Sequence, residues 1–221
     1  LGLVILQAVL GMWTVTFKLL PTIVLAHLLG GLSIAGLLWW LALSNKPPAQ
    51  MLVQRTRSLR PWAILGLFIL IGQIILGAWT STNYAALACT NFPLCNGSLT
   101  PPMDWKAAFN FFAPIGPNYE GGHLAMDARV AIQMAHRYGA FLTGAYLIPF
   151  SLCLMTIREY TGFRKIGLMI LLLICLQFML GIFNVVFTLP IQSAVAHNGV
   201  AAILLLSMIT VIFKLYDTRW G

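Results

Sequence analysis

Residues 166–197 read IGLMILLLICLQFMLGIFNVVFTLPIQSAVAH. Two apolar runs meet at Pro190, and neither alternates polar and apolar residues with a period of two. A bilayer crossing needs about 20 apolar residues. Backbone polar groups in lipid must be satisfied within the segment, so runs of this kind are helices rather than strands. The second run carries His197, and an ionisable ring inside a membrane is a functional-site candidate by default.

Working outward, the same test finds six spans in the 221 residues: 1 to about 17, 21–43, 61–82, 130–157, 166–189 and 191–213. The first is short. Composition agrees, with 60% hydrophobic and 8% charged residues against roughly 25% charged in a soluble domain. The mean hydropathy of +0.88 places the chain among membrane proteins. A net charge of +8 would otherwise suggest nucleic acid. Here the basic residues sit in short connections between apolar runs, which is the topology signal, so no nucleic-acid partner is expected.

Lys46, Arg55, Arg57 and Arg60 follow the second span, Arg158, Arg164 and Lys165 the fourth, and Lys214 and Arg219 the sixth. These segments, the C-terminus included, are assigned to the cytoplasm by the positive-inside rule. The other side holds Lys18, the 188–192 turn and a long loop from Asn83 to Arg129. The chain lacks an initiator Met and begins inside an apolar run, with no signal peptide visible. It reads as a piece whose N-terminus lies elsewhere.

An internal repeat organises the spans. Leu6, Gln7, Leu10, Gly11, Val15, Phe17, Ala26 and His27 match Leu176, Gln177, Leu180, Gly181, Val185, Phe187, Ala196 and His197, each at an offset of 170. Pro21 and Pro190 differ by 169. Gln73, Leu76, Gly77, Trp79 and Thr80 echo Gln7, Leu10, Gly11, Trp13 and Thr14 more faintly. Such repeats mark membrane proteins built from related halves. The expected architecture is all-α, with six transmembrane helices of eight in two pseudo-repeated four-helix bundles. Residues 1–59 form the back half of one bundle with its cytoplasmic loop. Residues 60–221 form the other, with the outer loop 83–129 attached. The front half of the first bundle should carry a histidine equivalent to His136.

His27, His136 and His197 each lie six residues into a span that starts on the outer side, roughly 9 Å down the helix. Matched depth makes them candidate ligands to a large guest within a helical bundle. Haem iron takes axial ligands on opposite faces of a plane, and facing helices of a bundle supply them. His136 pairs with His197 within the complete unit, and His27 belongs to the other. Gly in each Q-x-x-L-G helix permits close approach. Arg137 and Arg129 are candidates to meet an acidic group such as a haem propionate; the plainer readings are snorkelling for Arg137 and interface anchoring for Arg129. His123, in the loop, reads as solvated.

Cys89 and Cys95 lie in the outer loop. That compartment permits a short-loop disulfide, and two free thiols are the alternative. Cys153 and Cys175 fall inside spans and read as small packing residues. The stretch 104–112, with Trp105, Phe109, Phe111 and Phe112, reads either as a short interfacial helix or as an aromatic loop packed on the bundle.

Leu76-Gly-Ala-Trp-Thr-Ser-Thr-Asn-Tyr-Ala-Ala-Leu-Ala-Cys89, Pro93-Leu-Cys95, the His136-Arg137 pair and the two Ala-His helices at His27 and His197 together resemble the haem A synthase family. The resemblance covers the whole chain, as helices III to VIII of eight. It implies an oxidoreductase that converts the position-8 methyl of haem O to a formyl group, making haem A for cytochrome oxidase. It implies a haem b held by His136 and His197, a substrate haem held in part by His27, and a disulfide between Cys89 and Cys95. The family's glutamate and fourth histidine belong to helix II, so no catalytic acid or base is assigned and the chain alone is expected to be inactive. The implied setting is a bacterial inner membrane with the histidines toward its outer side. The implied partners are the bilayer, haem O, the enzyme that makes haem O, and an electron-transfer partner. Two other readings compete. One is a bis-histidine membrane cytochrome that leaves its porphyrin unchanged. The other is a repeat-built transporter, ranked last because these histidines lie near helix ends rather than at the midplane.

Overall fold

The computed structural model describes residues 1–45, 57–112, 114–115, 117–157 and 161–216. Lys46, Arg55, Arg158 and Arg219 lie outside them. The elements are α1 (Gly2–Thr16), α2 (Pro21–Ser44), α3 (Arg60–Thr82), a one-turn α4 (Trp105–Ala108), α5 (Met126–Met155), α6 (Thr161–Val186) and α7 (Ile191–Tyr216). Among the described residues there is no strand. Five helices are long and apolar enough to cross a membrane. The sixth expected span, α1, has 15 residues, short of that length.

Three helices end in the same left-handed turn. After α6, Thr188 and Leu189 adopt φ of 55° and 64°, and the Leu189 N–H donates to the Asn184 carbonyl at 2.7 Å. After α1, Lys18 and Leu19 do the same at 49° and 62°, with Leu19 N–H on Thr14 at 2.8 Å. After α3, Tyr84 sits at 52° and Ala85 N–H reaches Thr80 at 2.9 Å. These bonds satisfy carbonyls a helix end would leave orphaned. The turn explains why α6 stops at Val186, three residues before the apolar run ends. The repeat is therefore present in the backbone, including its fainter third copy.

Helices α3, α5, α6 and α7 close into a four-helix ring. Its core, with Leu70, Leu147, Leu154, Ile170, Met208 and Val211, lies toward the end away from the long loop. Close packing of α5 on α6 depends on Gly167. A Cβ there would stand 2.7 Å from the Ser151 carbonyl oxygen and 3.0 Å from the Leu154 Cβ. Backbone cannot yield as a side-chain tip can, so Gly167→Ala is expected to destabilise the protein by about 1–3 kcal/mol, read as a lower Tm in detergent.

Helix α2 packs on α3 and α7, and α1 packs on α2. Trp39 Nε1 donates to Thr210 Oγ1 at 2.8 Å, and Trp40 meets Phe213 edge-on at 5.0 Å. An apolar cavity of about 580 Å³ remains between α2, α3 and α7, lined by Leu32, Gly36, Trp40, Ile71, Leu205 and Ile209 among others. Helix alternation brings the α1–α2 turn, the long loop and the α6–α7 turn to one end. There the Tyr119 N–H donates to the Lys18 carbonyl at 3.0 Å. The opposite end holds Arg57, Arg60, Arg164, Lys165 and Lys214, where Arg60 Nε donates to the Leu215 carbonyl at 2.8 Å.

The long loop is docked on the bundle. Cys89 and Cys95 form a disulfide. Asp104 caps α4 by accepting from the Ala107 N–H at 3.0 Å, and Trp79 Nε1 donates to the Ala108 carbonyl at 2.9 Å. The aromatic stretch is thus both a helical turn and a packed loop. His123 is exposed. Cys153 and Cys175 correct their expectation: both are free and exposed on the outside of the helices, because neither falls on its helix's inward face.

Candidate functional site

Each histidine lies across from a glycine. His27 on α2 faces Gly11 of α1, His136 on α5 faces Gly77 of α3, and His197 on α7 faces Gly181 of α6. A Cβ on these glycines would stand 3.1, 3.0 and 3.4 Å from the respective Cε1 atoms. The Q-x-x-L-G motif thus supplies a floor on which an imidazole rests edge-down, three times over. The sequence had placed all three rings six residues into their spans. His27 and His197 keep that depth, whereas α5 starts at Met126 and so extends one further turn beyond its histidine.

The ring of α3, α5, α6 and α7 brings His136 and His197 face to edge, with centroids 6.5 Å apart and planes at 82°. An imidazole–metal bond of about 2 Å on each side, with roughly 1 Å more from nitrogen to ring centre, sets two axial rings about 6 Å apart. The observed spacing fits a single metal between them. Among the described residues no three His, Cys, Asp or Glu side chains gather to hold an ion. A bare ion takes three or four protein ligands, more than this pair supplies. His27 stays apart, in the α1–α2 pair.

The glutamines of the motif were named in the sequence only as markers of the repeat. The structure turns each toward the histidine-bearing helix opposite. The Gln73 Nε2 lies 3.0 Å from His136 Nδ1 and donates to the His136 carbonyl at 3.1 Å. Gln177 Nε2 donates to the His197 carbonyl at 2.9 Å. The Gln7 amide packs against Gly30, as Gln73 packs against Gly139; both glycines lie three residues after a histidine. The buried Nδ1 atoms of His27 and His197 have no hydrogen-bond partner. The threefold spacing of Gln, four residues before each Gly, was the available signal.

Arg137 is one of the two arginines named above as candidates for a propionate. Its guanidinium is buried and points into the disulfide loop. Nη1 donates to the carbonyls of Leu94 at 3.0 Å and Pro93 at 3.3 Å. Nη2 donates to those of Asn91 at 2.9 Å and Cys89 at 3.4 Å. Those donors are already spent, because the short ring closed by Cys89 and Cys95 turns its carbonyls inward. Arg129 lies two turns nearer the start of α5, with a buried Nε that has no partner. Gln133, one turn on, presents a buried Oε1 that is also unpaired.

The family model of the cytochrome oxidase assembly protein, COX15-CtaA, matches residues 1–209. The chain belongs to this family. It is 43% identical over 217 residues to "Heme A synthase" of Shewanella oneidensis, covering 97% of this chain and 64% of that protein. It is 30% identical over 217 residues to "Heme A synthase" of Caulobacter sp. (strain K31), covering 95% and 60%. A third of the same name, from Granulibacter bethesdensis, is 28% identical over 196 residues, covering 88% and 48%. The chain thus spans about half to two thirds of the length of these relatives. Within the family match lie all three histidines, their glycine floors and the disulfide loop.

Proposed function

We propose that the full-length protein is a haem A synthase, an oxidoreductase that converts the position-8 methyl of haem O to a formyl group for cytochrome oxidase. The observation that carries this reading is the His136–His197 pair on facing helices at 6.5 Å, in a chain whose relatives bear that name. His136 and His197 would hold a haem b between them, and His27 would hold the substrate haem. When bound, a bis-histidine haem has no open position and supplies electron transfer.

The protein's own part is to hold and orient. Gly77 and Gly181 set the height of the two rings. Arg129 offers its unpaired Nε to a carboxylate at the loop end. Residues 1–59 belong to the substrate half and 60–221 to the haem b half. Methyl-to-formyl conversion takes up one oxygen atom, from water or O2, and gives up four electrons, for which an electron-transfer partner or O2 is the acceptor. The histidine end faces the outer side of a bacterial inner membrane, a reading supported by the basic residues at the opposite end.

The test is extraction of haem from cells that express the full-length protein with haem O available. Appearance of a formyl-bearing haem, and its loss in His27→Ala, is expected. Bound haem b with no formyl product would favour a plain membrane cytochrome instead.

A further inference from the structure

Resting on that reading, we propose that Gln73 is a positioning residue for His136: its amide holds the Nδ1 edge of the imidazole and makes the two axial rings inequivalent. Gly77 lies under Cε1 of His136, and Gln73 Nε2 lies at Nδ1, 3.0 Å away. With those two edges occupied, Nε2 is the nitrogen left to meet a metal opposite His197. The same amide donates to the backbone carbonyl of His136 at 3.1 Å, so ring and backbone are gripped together.

His197 has only half of this arrangement. Gln177 donates to its carbonyl at 2.9 Å, yet its buried Nδ1 has no partner. The residue three after each histidine differs in the same way. It is Gly139 on α5, over which the Gln73 amide passes, and Val200 on α7. Gly139 therefore admits the amide close to the ring.

A nitrogen-ligating histidine needs its proton on Nδ1 and an acceptor facing it, an outer contact that orients the ring and raises its donor strength. Carboxamide oxygen and nitrogen are interchanged by a half-turn, and their assignment follows the hydrogen-bond network. Gln73 Oε1 is buried with no partner. A half-turn of the amide presents this oxygen to Nδ1–H of a metal-bound His136 and gives up the bond to the His136 carbonyl for it. Gln73 thus faces Nδ1 in both states of the ring, whereas among the described residues the buried Nδ1 of His197 has no hydrogen-bond partner.

The experiment uses the full-length protein carrying its haems, with Gln73→Leu, Gln73→Glu and Gln177→Leu, read by EPR g-values and the haem b midpoint potential. Gln73→Leu is expected to weaken haem b retention about 10–100-fold and to shift the low-spin g-values. Gln73→Glu, nearly isosteric, keeps the haem and lowers its midpoint potential, since a carboxylate on Nδ1–H favours the ferric state. Gln177→Leu, which removes only a bond to the His197 backbone carbonyl, shifts g-values and potential less than Gln73→Leu does. Unchanged g-values and potential in both Gln73 variants would overturn the proposal, as would equal loss of haem from both. Absence of a bis-histidine haem from the unmutated protein would instead remove the functional reading on which it rests.

Discussion

In the full-length protein, His197→Met is expected to change the spectrum of one haem and leave the other untouched. The substitution keeps an unbranched side chain of similar reach and exchanges an imidazole nitrogen for a thioether sulfur. Mixed His/Met ligation raises the potential of a haem relative to two histidines. The helix should hold its place, because Gln177 bonds the backbone carbonyl at position 197 rather than the ring. Under the proposed function His136, 6.5 Å across the bundle, would remain as the second ligand. His27 sits on Gly11 in the α1–α2 pair, so a haem held there would not sense the change. Optical and EPR spectra of the purified protein decide the matter. An unchanged spectrum removes His197 from the ligand set, and changes in both haems contradict the separation of the two sites.

Arg137→Leu is expected to give the largest loss of stability. Four carbonyls, those of Cys89, Asn91, Pro93 and Leu94, point at one guanidinium. Leaving a buried acceptor unpaired costs about 1–3 kcal/mol; the bond to Cys89 is buried and the other three are half-buried, so a joint loss of about 3 kcal/mol is expected. The Cys89–Cys95 bond keeps the ring closed but cannot satisfy its carbonyls. Arg137→Lys recovers only part, since an ammonium lacks the planar fork that reaches several acceptors at once. The check is a Tm in detergent with the disulfide intact. A Tm equal to the unmutated protein's would show that the clamp contributes nothing. Because Arg137 adjoins His136, haem b retention is expected to fall with it.

Much of the fold was legible because lipid makes the signal local. An apolar run such as 166–189 must be helical wherever it lies, since its backbone has no other partner in hydrocarbon. Composition does not report where such a helix ends. Residues 187–189 are apolar or small, yet α6 stops at Val186 because Thr188 and Leu189 turn left-handed. Nor does it report facing: Cys153 and Cys175 lie within spans but outside the packed interior.

The candidate site was legible as a set of residues and as a pairing, but not as a geometry. Equal spacing identified His27, His136 and His197, and the offset of 170 tied two of them together. The 6.5 Å approach of His136 to His197 depends on the closure of α3, α5, α6 and α7 into a ring. Arg137 is a candidate for a propionate in the sequence because its charge stands next to a candidate ligand. The sequence does not show that the carbonyls of a loop more than 40 residues earlier would fold onto the guanidinium. The glutamines were visible but their targets were not, since a hydrogen bond at 3.0 Å between α3 and α5 exists only once the helices are packed.

By itself, then, the sequence determined the helical membrane class, the repeat and the three histidines, all of which follow from hydrophobicity and spacing along the chain. Only the tertiary structure decided how closely His136 and His197 approach, what the Arg137 guanidinium holds and where the Gln73 amide lies. Those depend on contacts between helices far apart in the chain, where a shift of one side chain's width is enough to make or lose the bond.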